Sequence, residues 1–255
     1  CAWYLKEGGK IIMELKILWM YHDLMDLYGD KGNIETLRYR ASKRGINVIV
    51  DTCTLQEKRN IEEYDIFFLG GGADKEQTLI YKDLLARKES ILKAKESGTA
   101  FLLICGGYQL FGQYYLDQDG QKIDGLGIYD YYTESSDRDH RCIGNIVVEA
   151  NIHDKEVTVV GFENHGGQTK AVSNPFGKVL VGHGNTYKGK YEGYMDAQTI
   201  ATYMHGPLLP KNPAIADEVI LRGLNRRYAV EQLEQLQDTL ENAAHDAMLK
   251  RLNIK

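Results

Sequence analysis

The sequence has little cysteine, little proline and no apolar run long enough to cross a membrane. Four cysteines in 255 residues are too few for a disulfide scaffold, and none has the C-x-x-C spacing of a zinc site. Four prolines leave little room for a disordered linker. No stretch approaches the roughly 20 apolar residues that span a bilayer. We therefore expect a soluble, cytoplasmic protein with reduced thiols and no bound metal.

An excess of positive charge is also absent, since 31 basic and 36 acidic side chains give a formal net charge of -5. This charge offers no electrostatic basis for binding a polyphosphate backbone, so we expect no nucleic-acid partner. A hydrophobic fraction of 43% over 255 residues is enough for one compact domain with a substantial core.

Short apolar runs alternate with helical patterns through the first half of the chain. The runs are Leu15 to Met20, Ile46 to Val50, Ile66 to Leu69 and Ala100 to Ile104. This alternation is typical of a parallel sheet that is covered by helices. After Tyr115 the pattern changes to short strands separated by glycines. The sequence therefore predicts a single three-layer α/β/α domain with a central, mostly parallel sheet and antiparallel additions.

The helical patterns have recognisable ends. Asn33 is a candidate cap for a helix that carries Ile34, Leu37 and Ala41 on one face and stops before Gly45. A second helical stretch, Lys75 to Ser97, connects the third and fourth apolar runs. Each helix links two parallel strands, as a crossover connection requires.

The two ends of the chain differ from the central domain over 13–228. Residues 1–12 lack the periodicity that follows, and we interpret them as an N-terminal extension or tag. Residues 229–255 are predicted to form a C-terminal amphipathic helix. Its apolar stripe consists of Val230, Leu233, Leu236, Leu240, Ala244 and Met248. The stripe can pack on its own domain or offer a docking surface to another chain.

One cysteine lies where a buried strand is expected to turn directly into a helix. Residues 101–112 read FLLICGGYQLFG, in which Cys105 ends the apolar run and two glycines follow. Such a turn holds the thiol above the sheet, where the helix N-terminus favours the thiolate. A cysteine that ends a strand is often only a small core residue. The flanking glycines favour a nucleophile elbow instead.

A glycine-rich turn follows the preceding strand. Residues 67–74 read FFLGGGAD, and their backbone N–H groups can point at a bound carbonyl oxygen to form an oxyanion hole. A flexible turn or a phosphate cradle would have a similar composition. Neither the Lys-Ser/Thr of a P-loop nor G-x-G-x-x-G is present, so we expect no nucleotide site here.

A cysteine nucleophile needs a proton shuttle, and histidine is the usual choice near neutral pH. His205 ends the apolar run of residues 200–207, IATYMHGP, so it has the same place after a strand as Cys105. His165 also follows a strand, with Glu163 close by, and is the alternative base. The remaining histidines lie in polar, helical or glycine-rich surroundings: His22, His140, His153, His183 and His245.

The elbow resembles that of the class I glutamine amidotransferases. Their Cys-x-Gly-x-Gln motif matches Cys105, Gly107 and Gln109. The resemblance implies a flavodoxin-like core. It also implies that Cys105 attacks the side-chain amide of L-glutamine, that His205 protonates the departing ammonia, and that water resolves the glutamyl thioester.

Three further segments resemble the cobyric acid synthase-like branch of this superfamily. They are residues 27–33 (LYGDKGN), 161–169 (GFENHGGQT) and 203–212 (YMHGPLLPKN). Within the branch they are most similar to the glutaminase subunits of lipid II isoglutaminyl synthases. The resemblance extends over about residues 15–228.

The same resemblance implies roles in substrate binding. The backbone N–H groups of Gly106 and of the Gly71-Gly72 turn would hold the oxyanion, and Gln109 would shape the pocket. Arg141 matches the arginine that this branch places over the substrate glutamine, where a guanidinium can pair with a carboxylate through two hydrogen bonds. Arg138 is close enough in sequence to be a rival.

One position departs from the superfamily pattern. Most class I amidotransferases carry a glutamate two residues after the histidine, whereas this chain has Pro207 there. Three explanations are open. The histidine works without an acid, Glu163 substitutes, or a partner chain inserts a carboxylate beside His205.

The resemblance to a glutaminase subunit implies a partner. We see no ATP site in this sequence, so the ATP-using step would take place on that partner. The expected partner is a Mur ligase-like, ATP-using subunit that activates the D-glutamate of the lipid II stem peptide, which ammonia then converts to D-isoglutamine. Ammonia donation to cobyrinic acid amidation is a competing hypothesis, although that glutaminase is normally fused to its synthetase. A catalytically idle scaffold, or a cysteine peptidase built on the same elbow, would also be compatible with these residues.

Overall fold

The computed structural model describes residues 5–7 and 10–254, with side chains from Met13 to Ile254. Part of the predicted extension over 1–12 therefore lies outside the described residues, and the rest pairs as a short antiparallel hairpin. The first half of the chain contains these elements: β1 (Leu5–Glu7), β2 (Lys10–Ile12), β3 (Glu14–Met20), α1 (Lys31–Lys43), β4 (Asn47–Cys53), β5 (Ile66–Leu69), α2 (Asp74–Ala86), α3 (Lys88–Glu96), β6 (Ala100–Ile104) and α4 (Gly106–Phe111).

The second half consists mainly of antiparallel strands and ends in two helices. Its elements are β7 (Tyr114–Leu116), β8 (Lys122–Asp124), β9 (Tyr132–Ser135), β10 (Cys142–Ile152), β11 (Lys155–His165), β12 (Gly167–Lys170), β13 (Gly177–Val181), β14 (Tyr191–Glu192), β15 (Tyr194–Met195), β16 (Thr199–Thr202), α5 (Pro213–Asn225) and α6 (Thr239–Arg251). Within the described part of the chain, no helix is both long and apolar enough to cross a bilayer.

The central sheet has six strands in the order β4-β3-β5-β6-β16-β15. The first five are parallel, and β15 pairs antiparallel at the edge. This is the flavodoxin-like order, in which the first strand lies between the second and third. Helices α1 and α5 contact each other and the sheet, while α2 and α4 also pack together. The predicted three-layer α/β/α fold is confirmed.

The sequence predicts the interior strands most accurately. The apolar runs Ile66 to Leu69 and Ala100 to Ile104 match β5 and β6 to the residue. Every residue of both strands is buried, because parallel strands in the middle of such a sheet are covered on both faces. The helical stretch over 75–97, in contrast, divides into α2 and α3 at Arg87.

Two strands of the second half are longer than predicted. β10 and β11 form a hairpin of 11 residue pairs, from Cys142 opposite His165 to Ile152 opposite Lys155. Polar and partly exposed residues near both ends interrupt the apolar pattern, which is why the sequence indicated shorter strands. The hairpin carries residues 141–145 and 162–165 to the carboxyl end of the central sheet, where His205 pairs with Phe162.

Asn33 does not cap α1, which corrects the prediction. The helix begins at Lys31, and Asn33 is buried in its first turn. Its side-chain oxygen accepts a hydrogen bond of 2.9 Å from the backbone N–H of Leu209. The predicted buried face of Ile34, Leu37 and Ala41 is confirmed.

The predicted C-terminal amphipathic helix over 229–255 is also corrected. Only Thr239–Arg251 is helical, and Leu240 is 81% exposed, so the predicted stripe from Val230 to Met248 does not form along one helix face. Val230 and Leu233 do pack on the core, but from a non-helical segment. The guanidinium of Arg44 donates to the carbonyl of Glu234 within this segment, a carbonyl that a helix would have used.

A buried arginine joins the C-terminal segment to the domain. Arg40 is 1% exposed and donates to both carboxylate oxygens of Asp217, at 2.7 and 2.8 Å, and to Asp238 at 2.5 Å. Asp238 immediately precedes α6. Arg40 thus ties the start of α6 to α1, while His245 holds the middle of α6 through Thr158 and the Lys211 carbonyl.

We expect Arg40→Ala to lower the free energy of unfolding by about 3 kcal/mol, because it removes the ion pair of Asp238 and leaves Asp217 with Arg44 alone. Denaturant titration measures this loss, and limited proteolysis should cut first between 229 and 239. Arg38→Ala is the matched control. It removes an exposed pair with Glu35 on the same helix, and its effect should stay below about 1 kcal/mol. Equal losses for the two variants would contradict the anchoring role.

Candidate active site

The residues with reactive side chains gather at the carboxyl ends of four adjacent parallel strands. Asp30 follows β3 through a loop, the glycine turn 70–72 follows β5, Cys105 follows β6, and His205 follows β16. This edge is where parallel α/β sheets place their ligand sites. The sequence predicted three of these four positions.

Cys105 lies on a strained strand-to-helix turn. Its φ of 49° and ψ of -101° are unusual for a residue other than glycine. Its backbone N–H donates to the carbonyl of Thr202 at 2.8 Å, which fixes the turn against β16. A Cβ on Gly107 would come within 2.6 Å of the Leu69 carbonyl oxygen, so only glycine fits there. The geometry is that of a nucleophile elbow.

His205 is completely buried beside Cys105. Its backbone exchanges hydrogen bonds with Phe162 of β11, at 2.7 and 3.2 Å. Nδ1 lies 3.4 Å from Oδ1 of Asp30, while Nε2 has no hydrogen-bond partner among the described residues. Burial alone would lower the pKa of the imidazole, but the nearby Cys105 sulfur and the Asp30 carboxylate raise it to about 10.

Asp30, which the sequence did not single out, is the carboxylate next to His205. It is fully buried, and its second oxygen accepts a hydrogen bond of 2.7 Å from the backbone N–H of Gly71. The one signal in the sequence was the resemblance of segment 27–33 to the branch, which by itself gives Asp30 no chemical role. The carboxylate therefore reaches His205 from the loop after β3, rather than from the position of Pro207.

Pro207 packs tightly against the start of α1. A Cβ on Gly32 would lie 2.3 Å from Cγ of Pro207, so the start of α1 rests directly on the turn after His205. Asn33 holds the same turn through Leu209. The 27–33 segment thus contacts the His205 ring through Asp30 and the turn that follows His205 through Gly32 and Asn33.

Glu163 does not orient His205 in this structure. Its two oxygens accept hydrogen bonds from the backbone N–H groups of His183, at 2.7 Å, and Gly184, at 2.9 Å. One of these oxygens also lies 3.9 Å from Nε2 of His165. The explanation in which Glu163 substitutes for the missing acid is not supported by these contacts.

His165, the alternative base, lies in the wall of the same cavity. Its ring stacks on Tyr203 with centroids 3.6 Å apart, and its Nδ1 donates to the carbonyl of Gly167 at 2.7 Å. Burial lowers the pKa of His165, although Glu163 and the Gly167 carbonyl act in the opposite direction. Nε2 has no hydrogen-bond partner in the part of the chain described. His205, not His165, contacts an acid that also bonds to the glycine turn.

The glycine turn supplies one free donor rather than two. The N–H of Gly71 is occupied by Asp30, so it cannot serve an oxyanion. The N–H of Gly72 has no acceptor among residues 10–254, and Gly72 lines the cavity. Gly106 is the first residue of α4, where an N–H has no intrahelical acceptor. Gly72 and Gly106 are therefore the donors that fit the predicted role.

Above Cys105 lies a cavity of about 900 Å³, which is also lined by Gln109, Arg138, Arg141 and His165. Gln109 is buried, and its amide accepts from Gln77 and donates to the Tyr203 hydroxyl, both at 3.1 Å. These two hydrogen bonds fix the orientation of the Gln109 amide in the cavity wall.

Arg141 and Arg138 both reach this cavity, but only one is oriented. Nη2 of Arg141 donates to the side-chain oxygen of Asn164 at 3.1 Å. Arg138 belongs to a single helical turn and makes no hydrogen bond or ion pair to any residue whose side chain is described. The geometry favours Arg141 as the clamp for a carboxylate.

Comparison with known proteins gives two close relatives. The chain is 41% identical to the lipid II isoglutaminyl synthase (glutamine-hydrolyzing) subunit GatD of Staphylococcus aureus, over 94% of this chain and 97% of that protein. It is 39% identical to the subunit of the same name in Streptococcus pneumoniae, over 92% and 90%. A probable cobyric acid synthase of Methanococcus maripaludis is more distant, at 32% identity over 52% of this chain and 28% of that enzyme.

A solved structure described as a glutamine amidotransferase shares the fold. Its TM-score is 0.51 at 10% identity, and the match covers 82% of this chain and 98% of that one. The family model of the CobB/CobQ-like glutamine amidotransferase domain matches residues 16–213. With Cys105, His205 and Asp30 at one edge of the sheet, the chain belongs to the CobB/CobQ-like glutamine amidotransferase family.

Proposed function

We propose that this chain is a glutaminase subunit that hydrolyses L-glutamine to glutamate and ammonia through a thioester on Cys105. The observation that carries the proposal is the buried contact of His205 with Asp30 beside the Cys105 elbow. An oriented, protonated imidazole beside a sulfur nucleophile is the arrangement that amide cleavage through a thioester requires.

In the first step the Cys105 sulfur attacks the side-chain carbonyl carbon of glutamine. The N–H groups of Gly72 and Gly106 stabilise the oxyanion that forms. His205 gives its Nε2 proton to the amide nitrogen, which leaves as ammonia, and the glutamyl thioester remains. Water then attacks the thioester while His205 accepts a proton, and glutamate and the free thiol are released.

Arg141 gives the site its preference for a free amino acid. Its guanidinium lines the cavity and can pair with the α-carboxylate of glutamine through two hydrogen bonds. Gln109 and the Tyr203 ring it contacts form a fixed wall close to the Cys105 elbow. Binding at the carboxylate end thus places the side-chain amide over the sulfur.

The ammonia is passed to a partner. We assign that role to a Mur ligase-like subunit that uses ATP to activate the D-glutamate of the lipid II stem peptide, so that amidation yields D-isoglutamine in peptidoglycan synthesis. The similarity to the two lipid II isoglutaminyl synthase subunits over nearly their full lengths supports this assignment. The cobyric acid synthase matches over only 28% of its length. The use of ATP and of a free thiol supports a cytoplasmic location for the proposed reaction.

We expect Cys105→Ala to abolish glutamate release from L-glutamine, because no other group at the elbow can form the thioester. Glutamate release is measured for the chain alone and with its ligase partner. Cys53→Ala, at the end of β4 and outside the cavity, is the matched control and should retain activity. Release that persists without Cys105 would contradict the thioester mechanism, and no release from the wild type even with the partner would favour an idle scaffold.

We expect Asp30→Asn to lower kcat by a factor of about 10² to 10⁴, as loss of the orienting acid does in other triads. The amide cannot stabilise an imidazolium, and its NH₂ group would face Nδ1. Asp23→Asn, an exposed carboxylate of the same loop, is the control and should be near wild type. An Asp30→Asn chain that is fully active in the complex but not alone would show that the partner supplies the acid.

A further inference from the structure

A tyrosine lies between the buried imidazole of His205 and the solvent. The Tyr28 ring meets the imidazole edge to face with centroids 5.1 Å apart, and it also contacts Phe162 at 6.4 Å. Tyr28 is 44% exposed, whereas His205 is completely buried. The ring is therefore the layer between the imidazole and water.

The backbone holds this ring in place at a conformational cost. Tyr28 has a φ of 58°, in the left-handed region that an aromatic residue rarely adopts. The loop is fixed on both sides of it, by the N–H of Leu27 donating to Gly71 at 3.0 Å and by that of Lys31 donating to Asp26 at 2.6 Å. Such strain at a site indicates that the position of the side chain matters.

One side-chain amide links this ring to the candidate carboxylate clamp. Asn164 donates from Nδ2 to the Tyr28 hydroxyl at 2.5 Å and accepts at Oδ1 from Arg141 at 3.1 Å. Because a guanidinium can only donate, the amide oxygen must face Arg141 and the NH₂ group must face the tyrosine. Both contacts are made by the planar amide group of Asn164, so a movement of the Arg141 guanidinium is transmitted to the Tyr28 ring.

We propose that Asn164 and Tyr28 are positioning residues that link carboxylate binding on Arg141 to the shielding of His205. The inference rests on the proposed glutaminase function and adds a basis for its substrate specificity. A substrate with an α-carboxylate holds Arg141, which fixes Asn164, which keeps the Tyr28 ring over the imidazole. With a substrate that lacks this carboxylate, Arg141, Asn164 and Tyr28 are not held in place. Such a substrate should therefore be hydrolysed more slowly as well as bound more weakly.

The test compares L-glutamine with L-glutaminamide, in which an uncharged amide replaces the α-carboxylate. Ammonia release gives kcat and KM for both substrates, with the ligase subunit present. In Asn164→Ala the preference for glutamine in kcat/KM should fall roughly tenfold, the effect of losing a hydrogen bond to a charged group. Tyr28→Phe keeps the ring and loses only the hydroxyl, so its loss should be smaller but in the same direction.

Two variants outside the site serve as controls. Asn151→Ala changes an exposed asparagine near the far end of the same hairpin, about 27 Å along the strand from the site. Tyr39→Phe removes the hydroxyl of an exposed tyrosine on α1. Both should keep the wild-type preference for glutamine, which separates a specific effect of the linked pair from general loss of stability.

The double variant Tyr28→Phe/Asn164→Ala decides whether the two residues act together. Both changes remove the same hydrogen bond, so the double variant should be no worse than Asn164→Ala alone. Effects that multiply, or an Asn164→Ala preference within twofold of wild type, would overturn the proposal.

If the wild type releases no ammonia, the proposed glutaminase function fails, and kinetics cannot test the role of Asn164. In that case the test is calorimetric binding of L-glutamine to Cys105→Ala and to Cys105→Ala/Asn164→Ala. A roughly tenfold weaker Kd in the second supports the link to Arg141, and equal Kd values overturn it.

Discussion

The structure of the site depends on one buried contact, between the Asp30 carboxylate and the His205 imidazole. Neither group reaches water. A buried charge is costly unless it is paired and hydrogen-bonded, and Asp30 meets both conditions, with one oxygen near His205 and the other on the Gly71 N–H. The same carboxylate therefore contacts the His205 imidazole and fixes the glycine turn. It joins the ends of β3, β5 and β16 around the β6 elbow, so displacement of any one of them would disturb the rest.

The surrounding loops are shaped to keep that contact dry. Gly71 lets the turn after β5 pass close to both the ring and the elbow, since a Cβ there would lie 2.7 Å from Cε1 of His205. Pro207 rests on Gly32, and the Tyr28 ring covers the imidazole. In this arrangement the carboxylate next to His205 comes from the loop before α1, and the position two residues after the histidine packs against that loop.

Residues that end a continuous apolar strand could be predicted, and residues that act across the fold could not. The positions of Cys105 and His205 could be predicted because strands buried on both faces form continuous apolar runs in the sequence, and the carboxyl ends of these strands meet at one edge of the sheet. Asp30 lies 175 residues from His205 along the chain, and no local pattern distinguishes it from the other acidic residues. The helix predicted from Ala229 failed for a related reason: apolar spacing does not reveal that arginine side chains bind the Glu234 carbonyl and the Asp238 carboxylate.

The protonation state of His205 is the most direct test of this arrangement, measured by nitrogen NMR of the imidazole rings across a pH titration with His205 assigned by substitution. We expect a ring protonated at both nitrogens through neutral pH, which loses its proton only as the pH rises towards about 10. A ring that titrates near the ordinary histidine value of about 6.5, or one whose Nδ1 carries no proton at neutral pH, would contradict the claim that Asp30 and Cys105 together hold His205 as an imidazolium.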